Sequence, residues 1–152
     1  MDIQSVMKRQ VISLSADSTL EKAIELVRTN RIGLLPVLDL EGRLVGNLRL
    51  RDLLKLWLPD FIEIVEDYDF VQDFGALEAG EIDEARRNAP IRGLMGPPLS
   101  VKTDCGLLRA HAFMDQHELY DLPVVDGDGR LVGLASWVDV GVGLLDAWMK
   151  AG

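Results

Sequence analysis

A hydroxyl and a carboxylate lie three residues apart in the segment GLASWVD, residues 133–139. In this pattern Ser136 ends an apolar strand and Asp139 falls in the first turn of a helix. There the carboxylate can accept hydrogen bonds from ligand hydroxyls, while the serine hydroxyl and the helix amides can donate to an anion. The same two residues could instead only cap the helix, since both types are favoured at a helix start.

The first half of the chain carries a related segment, GNLRLRD, at residues 46–52. Here Arg49 stands where the hydroxyl would be, and Asp52 keeps the carboxylate. Arg49 could bind a phosphate in a bidentate manner, or it could fill the cleft and pair with Asp52. The sequence is compatible with both arrangements.

The remaining chemistry-bearing residues do not form an enzyme motif. The chain contains no Ser-His-Asp or Cys-His set, no metal-ligand spacing and no Gly-x-x-x-x-Gly-Lys loop. We therefore expect neither catalysis nor a bound metal. The formal net charge of −9 argues against a nucleic-acid surface, which needs clustered Lys and Arg. The same charge means that a site for an anionic ligand needs local cations or backbone donors.

Composition also indicates the compartment. The single cysteine, Cys105, cannot form an internal disulfide, which is typical of a reducing compartment, and we expect it to fill space near a helix start. The apolar runs are far shorter than the roughly 20 residues of a membrane span, and the first residues lack a signal-peptide core. We expect a cytoplasmic protein that does not insert into membranes.

The chain contains an internal repeat with an offset of 87 residues, the separation of Pro36 and Pro123. The stretch LLPVLDLEGRLVG at residues 34–46 recurs as DLPVVDGDGRLVG at residues 121–133. The same offset relates Asp52 to Asp139. A repeat that keeps its register over this length indicates two copies of one structural unit.

Each copy is predicted to contain a strand, a helix, two strands joined by a tight turn, and a second helix, which is a mixed α/β (α+β) fold. In the first copy we predict a strand over 11–14, a helix opened by a capping box between Ser18 and Glu21, and hairpin strands over 35–38 and 44–48. Its second helix is predicted over 50–58, and that of the second copy over 138–149. The inner face of the other helix in the second copy is predicted to carry Leu107, Ala110, His111 and Met114.

The domain organisation follows from the repeat. We predict repeat 1 over 1–58, a helical insertion over 59–90 and repeat 2 over 91–152. The insertion combines apolar residues at helical spacing with an acidic face, and it is predicted to contain a further short helix over 79–88. Its carboxylates could dock a partner or hold a metal, but such a distribution is typical of a solvated surface.

The apolar-Pro-Val-x-Asp strand, the turn ending in Gly, the Arg-Leu-Val-Gly strand and the helix opened by Asp resemble the CBS domain, named after cystathionine β-synthase. Two copies in tandem resemble a Bateman module. The resemblance covers roughly residues 1–58 and 91–149 and leaves the insertion unexplained. It implies two pseudo-symmetric repeats packed sheet to sheet, with two clefts that in many family members hold AMP, ADP, ATP or S-adenosylmethionine.

The resemblance also implies which residues would bind such a ligand. It assigns the ribose hydroxyls to Asp139 and a further ligand contact to Ser136, and it maps the base pocket onto the segment before Pro123. The mapped base-pocket segment is Tyr120, Asp121, Leu122 and Pro123. The candidate ligand-binding residues are Ser100, Val101, Lys102, Tyr120, Leu122, Pro123, Ser136 and Asp139. Lys102 and Arg130 are candidate cations. A second, degenerate site would be formed by Ser13, Leu34, Leu35, Pro36, Arg49 and Asp52.

Two functions are compatible with this sequence. The resemblance implies a non-catalytic regulatory module that senses an adenine nucleotide or S-adenosylmethionine and acts on an unidentified protein target or on its own oligomer. It also implies a homodimer, in which Trp57 and Trp148, on corresponding terminal helices, are buried between repeats or subunits. The alternative is a ligand-free structural or dimerisation module whose acidic insertion docks a partner. Arg49 favours the alternative, whereas Ser136 and Asp139 favour sensing.

Overall fold

The computed structural model describes residues 1–57 and 82–152. The elements of the two halves recur at the predicted offset, and a one-turn 3-10 helix precedes each half, at Ile3–Ser5 and Ile91–Gly93. The elements are β1 (Leu14–Ser15), α1 (Leu20–Asn30), β2 (Leu34–Leu38), β3 (Leu44–Arg49), α2 (Leu50–Leu54), α3 (Glu84–Arg87), β4 (Val101–Lys102), α4 (Leu107–Gln116), β5 (Asp121–Val125), β6 (Leu131–Ser136) and α5 (Trp137–Ala151).

Each half forms a three-stranded sheet with the same topology. The central strand, β2 or β5, pairs in parallel with the first strand and antiparallel with the third. In the second sheet Val101 lies opposite Val124, and Ser136 lies opposite Asp121. The hairpin turns need Gly42 and Gly129, whose φ angles of 80° and 82° are unfavourable for residues with a side chain.

The hairpin turns join the two halves around a pseudo-two-fold axis. The Leu44 N–H donates to the Gly129 carbonyl at 3.0 Å, and the Leu131 N–H donates to the Gly42 carbonyl at 3.1 Å. These two bonds are equivalent under the repeat offset. They confirm the prediction of two pseudo-symmetric α/β units.

Each hydrophobic core is completed by a segment from outside its own repeat. The first lead-in segment, residues 2–8, buries Ile3 and Met7 in the core of the second repeat. The second lead-in segment, residues 90–99, buries Ile91 in the core of the first repeat. The repeats therefore exchange their lead-in segments, so that neither core is complete without the other half of the chain.

Several predicted boundaries were wrong. The strand predicted over 11–14 is β1, which begins only at Leu14. The predicted capping box of Ser18 and Glu21 does not cap α1. Instead Thr19 is the N-cap, accepting from the Lys22 N–H at 3.4 Å, because the helix begins one residue later than the pattern suggested. Helix α2 ends at Leu54 instead of 58, and α5 extends the predicted 138–149 by one residue before and two after.

The predicted helical insertion lies mostly outside the described residues. Within them, the short helix predicted over 79–88 is confined to α3, which Asp83 caps by accepting from the Arg86 N–H. The acidic face and the domain boundaries at 58 and 90 remain predictions.

On α4 the predicted inner face is confirmed for Leu107, Ala110 and Met114, which are buried. His111 is only half-buried, with its ring centroid 6.2 Å from that of Trp137. Cys105 is buried beside the start of this helix, and that burial raises the pKa of its thiol. This placement agrees with its predicted role as a small space-filling residue.

Candidate ligand site

Ser136 and Asp139 meet at the junction of β6 and α5. The Asp139 N–H donates to Ser136 Oγ at 3.0 Å, and the Ser136 N–H donates to Asp139 Oδ2 at 2.9 Å. The two residues therefore form a reciprocal capping box. Among the described residues Asp139 Oδ1 has no hydrogen-bond partner, so the cap leaves that oxygen able to accept from a ligand.

A second carboxylate lies beside this pair. Asp121 is opposite Ser136 across β5 and β6 and is half-buried. Burial raises the pKa of Asp121, the Lys8 ammonium opposes that rise, and the Asp139 carboxylate adds to it. Asp121 is therefore within electrostatic range of both Lys8 and Asp139.

Lys8 reaches this place on the first lead-in segment. Its backbone pairs with Leu134 of β6, through N–H to carbonyl bonds of 2.8 and 2.9 Å. We call the surface formed by Lys8, Asp121, Leu134, Ser136 and Asp139 the second groove. It combines groups from both ends of the chain, so it depends on the exchange of the lead-in segments.

The equivalent positions in the first repeat, which we call the first groove, are Leu34, Asn47, Arg49 and Asp52, and of these Leu34 and Asn47 are buried. Arg49 Nε donates to Asp52 Oδ2 at 2.9 Å, so the arginine pairs with the carboxylate, one of the two arrangements that the sequence allowed. Lys55 Nζ is 3.9 Å from the other oxygen of Asp52. The ligand-facing groups of the first groove are therefore engaged with one another.

Asn47 further closes the first groove. It is buried, and its Nδ2 donates to the carbonyls of Pro97 and Leu99 in the second lead-in segment, at 3.3 and 3.1 Å. Among the described residues its Oδ1 is buried without a hydrogen-bond partner. The repeat 2 counterpart is the apolar Leu134, so this clamp exists in only one of the two grooves.

The CBS domain family model matches residues 3–58 and 91–140 of the chain. These ranges cover most of both structural repeats. The chain belongs to the CBS domain family. Its two repeats form a tandem CBS pair.

Relatives and solved structures agree with this assignment. Protein MJ1426 of Methanocaldococcus jannaschii is 30% identical, and the match covers 92% of this chain and 89% of that protein. The CBS-pair protein CBSX2 of Arabidopsis thaliana is 25% identical with a TM-score of 0.73, covering 99% of this chain and 97% of that one. A structure of CBSX2 in complex with AMP has a TM-score of 0.67 and covers 93% of both chains.

A longer protein shares the fold. MJ1004 of M. jannaschii matches with a TM-score of 0.71 at 23% identity. The match covers 96% of this chain but only 60% of MJ1004. This similarity shows the shared architecture alone.

The CBS pair does not bring all the predicted ligand residues together. Strands β4 and β6 are on opposite edges of their sheet, with β5 between them. At about 4.8 Å per strand spacing, they are about 10 Å apart. Ser100, Val101 and Lys102 line a separate cavity of about 510 Å³, bordered also by Arg109 and Phe113. That these three residues share one ligand with Ser136 and Asp139 remains a prediction.

The predicted base-pocket residues are also divided. Leu122 and Pro123, like Leu35 and Pro36 in the first repeat, are fully buried and offer no surface to a ligand. Tyr120 is 75% exposed and lines a recess of about 340 Å³ together with Trp137 and Arg51. The apolar central strand was predicted to supply walls for a base, but it is covered on both faces and fills the core instead.

The remaining first-groove residues behave similarly. Leu34 is buried and contributes to the core of the second repeat, while Ser13 is half-buried just before β1. Only Arg49 and Asp52 of that predicted set present polar groups in the first groove.

The cation that sequence reasoning missed is Lys8. Of the two cations proposed instead, Lys102 is in the separate cavity, and Arg130 donates to the Glu41 carbonyl at 3.0 Å in the opposite hairpin turn. Lys8 carries no motif, and its counterpart in the second lead-in segment is Gly96. Only the exchange of segments between repeats reveals it.

Two further features bear on function. Among the described residues, no group of three His, Cys, Asp or Glu is arranged to hold a metal ion. No helix in the described ranges is both long and apolar enough to cross a membrane.

Trp57 is half-buried against the first core, whereas Trp148 on α5 is largely exposed, so of these two tryptophans only Trp57 is packed within this chain.

The Arg49–Asp52 pair predicts the behaviour of the first groove. We expect R49S, which places the repeat 2 residue at this position, to free Asp52 for ligand at a stability cost below about 1 kcal/mol, because the pair is partly exposed. Isothermal titration with AMP should then show a second binding event that the wild type lacks. An unchanged stoichiometry would show that Asn47, and not Arg49, closes this groove.

Proposed function

We propose that this CBS pair is a non-catalytic, cytoplasmic regulatory module that binds an adenosyl ligand, either an adenine nucleotide or S-adenosylmethionine, in its second groove. CBS pairs are generally regulatory and not catalytic. The observation that carries the proposal is the Ser136–Asp139 pair, which leaves one carboxylate oxygen of Asp139 unoccupied in that groove. The AMP complex of CBSX2 supports an adenosine nucleotide as the ligand class.

Each group in the second groove has a proposed role. The free oxygen of Asp139 accepts from the ribose hydroxyls. In the first turn of α5 the Trp137 N–H already donates to the Tyr120 carbonyl and the Asp139 N–H to Ser136, so the Val138 N–H is the proposed donor to a phosphate or carboxylate. Lys8 supplies a local cation. Tyr120 is outside the second groove as defined, but its exposed ring, in the recess that it shares with Trp137, is proposed as a flat wall for the base. Ser136 holds Asp139 in place through the capping box, and its hydroxyl is a secondary ligand contact. Ser100, Val101 and Lys102 are proposed as a peripheral contact region.

The expected affinity suits the sensing of a metabolite. An adenine mononucleotide has about 23 heavy atoms, and about 0.3 kcal/mol per atom gives about 7 kcal/mol. This corresponds to a dissociation constant of about 10 μM. Occupancy would then vary with micromolar changes in ligand and bias how the two repeats pack.

The direct test is thermal melting of the purified protein with AMP, ADP, ATP and S-adenosylmethionine. A ligand at a hundredfold excess over its dissociation constant should stabilise the folded state by about 2.7 kcal/mol. Adenine-free phosphate serves as the control and should produce no shift. The Arg49–Asp52 pair in the first groove favours the alternative, a structural or partner-docking function. If none of the four ligands raises the melting temperature, this alternative replaces the sensing function.

We also propose that the CBS pair is a homodimer that associates through α5. This helix carries an apolar stripe of four residues, each between 49% and 81% exposed: Val138, Val142, Leu145 and Met149. Their spacing places them on one face, together with the exposed Trp148, and a second copy would remove that face from water. Light scattering should give the mass of a dimer at high micromolar concentration, and V142E/L145E should give that of a monomer. A wild-type monomer would contradict the proposal.

A further inference from the structure

We infer that Asp121 makes the second groove select adenosyl ligands by charge, favouring adenosine or the cationic S-adenosylmethionine over AMP, and AMP over ATP. The inference rests on the proposed function and narrows its ligand class. Asp121 has no role in the helix cap, and its repeat 1 counterpart is the apolar Leu34.

The position of Asp121 places a second negative charge beside the proposed ribose contact. It faces Ser136 across the β5–β6 pair, and Ser136 is hydrogen bonded in turn to Asp139. Asp121 is half-buried, and its carboxylate makes no hydrogen bond or ion pair within the described part of the chain. Partly buried carboxylates are normally hydrogen bonded, so this one is unusual. With no hydrogen bond or ion pair, the negative charge of the Asp121 carboxylate has no partner in direct contact among the residues described.

The surrounding charges do not remove this excess. The Lys8 ammonium is the cation whose charge acts on the Asp121 carboxylate. One ammonium can offset the charge of only one of the two carboxylates, Asp121 and Asp139. The first groove has the opposite balance, because Arg49 and Lys55 both lie within 4.0 Å of the single carboxylate of Asp52. The net charge of −9 on the whole chain adds to the repulsion of an anion.

The charge of the ligand therefore decides its affinity. At the start of α5 the Val138 N–H can donate to one phosphate, because the Trp137 and Asp139 N–H groups are already hydrogen bonded within the protein. The additional phosphates of ATP would add negative charge near Asp121 and Asp139, where among the described residues Lys8 is the cation that acts on Asp121. A cationic sulfonium would instead be attracted by the same two carboxylates.

The test compares ligands of different charge on the same protein. Isothermal titration at low salt should give affinities in the order S-adenosylmethionine or adenosine, then AMP, then ATP. In D121N, which keeps the side-chain shape, ATP should bind about three- to tenfold more tightly, while adenosine changes by less than about twofold. Raising the salt to about 0.5 M should reduce the difference between the two proteins.

D146N is the matched control, because it removes the same unit of charge from an exposed position on α5. It should leave the ligand order unchanged. If D121N does not fold, D121L, which carries the residue found at position 34, replaces it. Wild-type ATP affinity equal to that of adenosine, or an equal gain for both ligands in the variant, would overturn the inference. A wild type that binds none of the four ligands would instead overturn the proposed function.

Discussion

Replacing Asp139 with alanine is expected to abolish the thermal shift produced by AMP. The carboxylate is the proposed acceptor for two ribose hydroxyls, and hydrogen bonds to charged groups contribute about 1.5–3 kcal/mol each. The affinity should therefore fall about a hundredfold or more, as measured by isothermal titration. The ligand-free variant should also lose about 1 kcal/mol of stability, because Asp139 is half of the α5 capping box.

D52A is the matched control for D139A, since it removes the equivalent carboxylate in the first groove. Asp52 is paired with Arg49 at 2.9 Å, so its loss should leave the AMP shift intact. S136A separates the two roles of the cap, because it removes a capping hydroxyl and keeps the carboxylate. If D52A, and not D139A, abolished the shift, the ligand would belong to the first groove.

Replacing Ile3 with alanine is expected to destabilise the whole protein by about 2–5 kcal/mol, although the residue is near the start of the chain. Ile3 is fully buried in the core of the second repeat, where it packs with residues such as Leu107 and Met114. The loss combines the transfer free energy of the removed atoms with the cavity that they leave. Urea unfolding monitored by circular dichroism gives the free energy of unfolding directly.

Ile12 provides the comparison for this effect. It is in the same half of the chain but is 37% exposed, so I12A should cost less than about 1 kcal/mol. Ile91, fully buried in the core of the first repeat, should behave like Ile3 under the pseudo-symmetry. Similar small losses for I3A and I12A would show that the exchanged lead-in segment does not support the second core.

The repeat offset accounts for how much of the fold was predictable. It carries the strands, helices and hairpin turns from one half to the other, and the Gly-Arg-Leu-Val-Gly pattern identifies both hairpins. The failures were local. Thr19 and Ser18 are both suitable N-caps, and choosing between them depends on where the first helical hydrogen bond forms. The short β1 depends on pairing with β2, which the residues of β1 alone do not specify.

The candidate site was predictable only in part. Ser136 and Asp139 are three residues apart, and helix geometry brings them together without help from the rest of the chain. Ser100 directly precedes β4, and the sheet order places that strand across β5 from them. Leu122 and Pro123 were assigned to a pocket, but tertiary packing covers both faces of their strand. Lys8, by contrast, was not predicted, because it reaches the second groove only through the contact between the first lead-in segment and the second repeat.

By itself the sequence determined the two α/β units, the CBS resemblance and the cap of α5, because these depend on residue patterns within one repeat. Tertiary structure decided which core each lead-in segment completes and that Asp121 and Lys8 lie beside Asp139. The physical reason is the separation along the chain of the residues that interact. Caps and turns are set by hydrogen bonds between residues a few positions apart, whereas the charge balance of a groove depends on side chains that only the packing of the two repeats brings together.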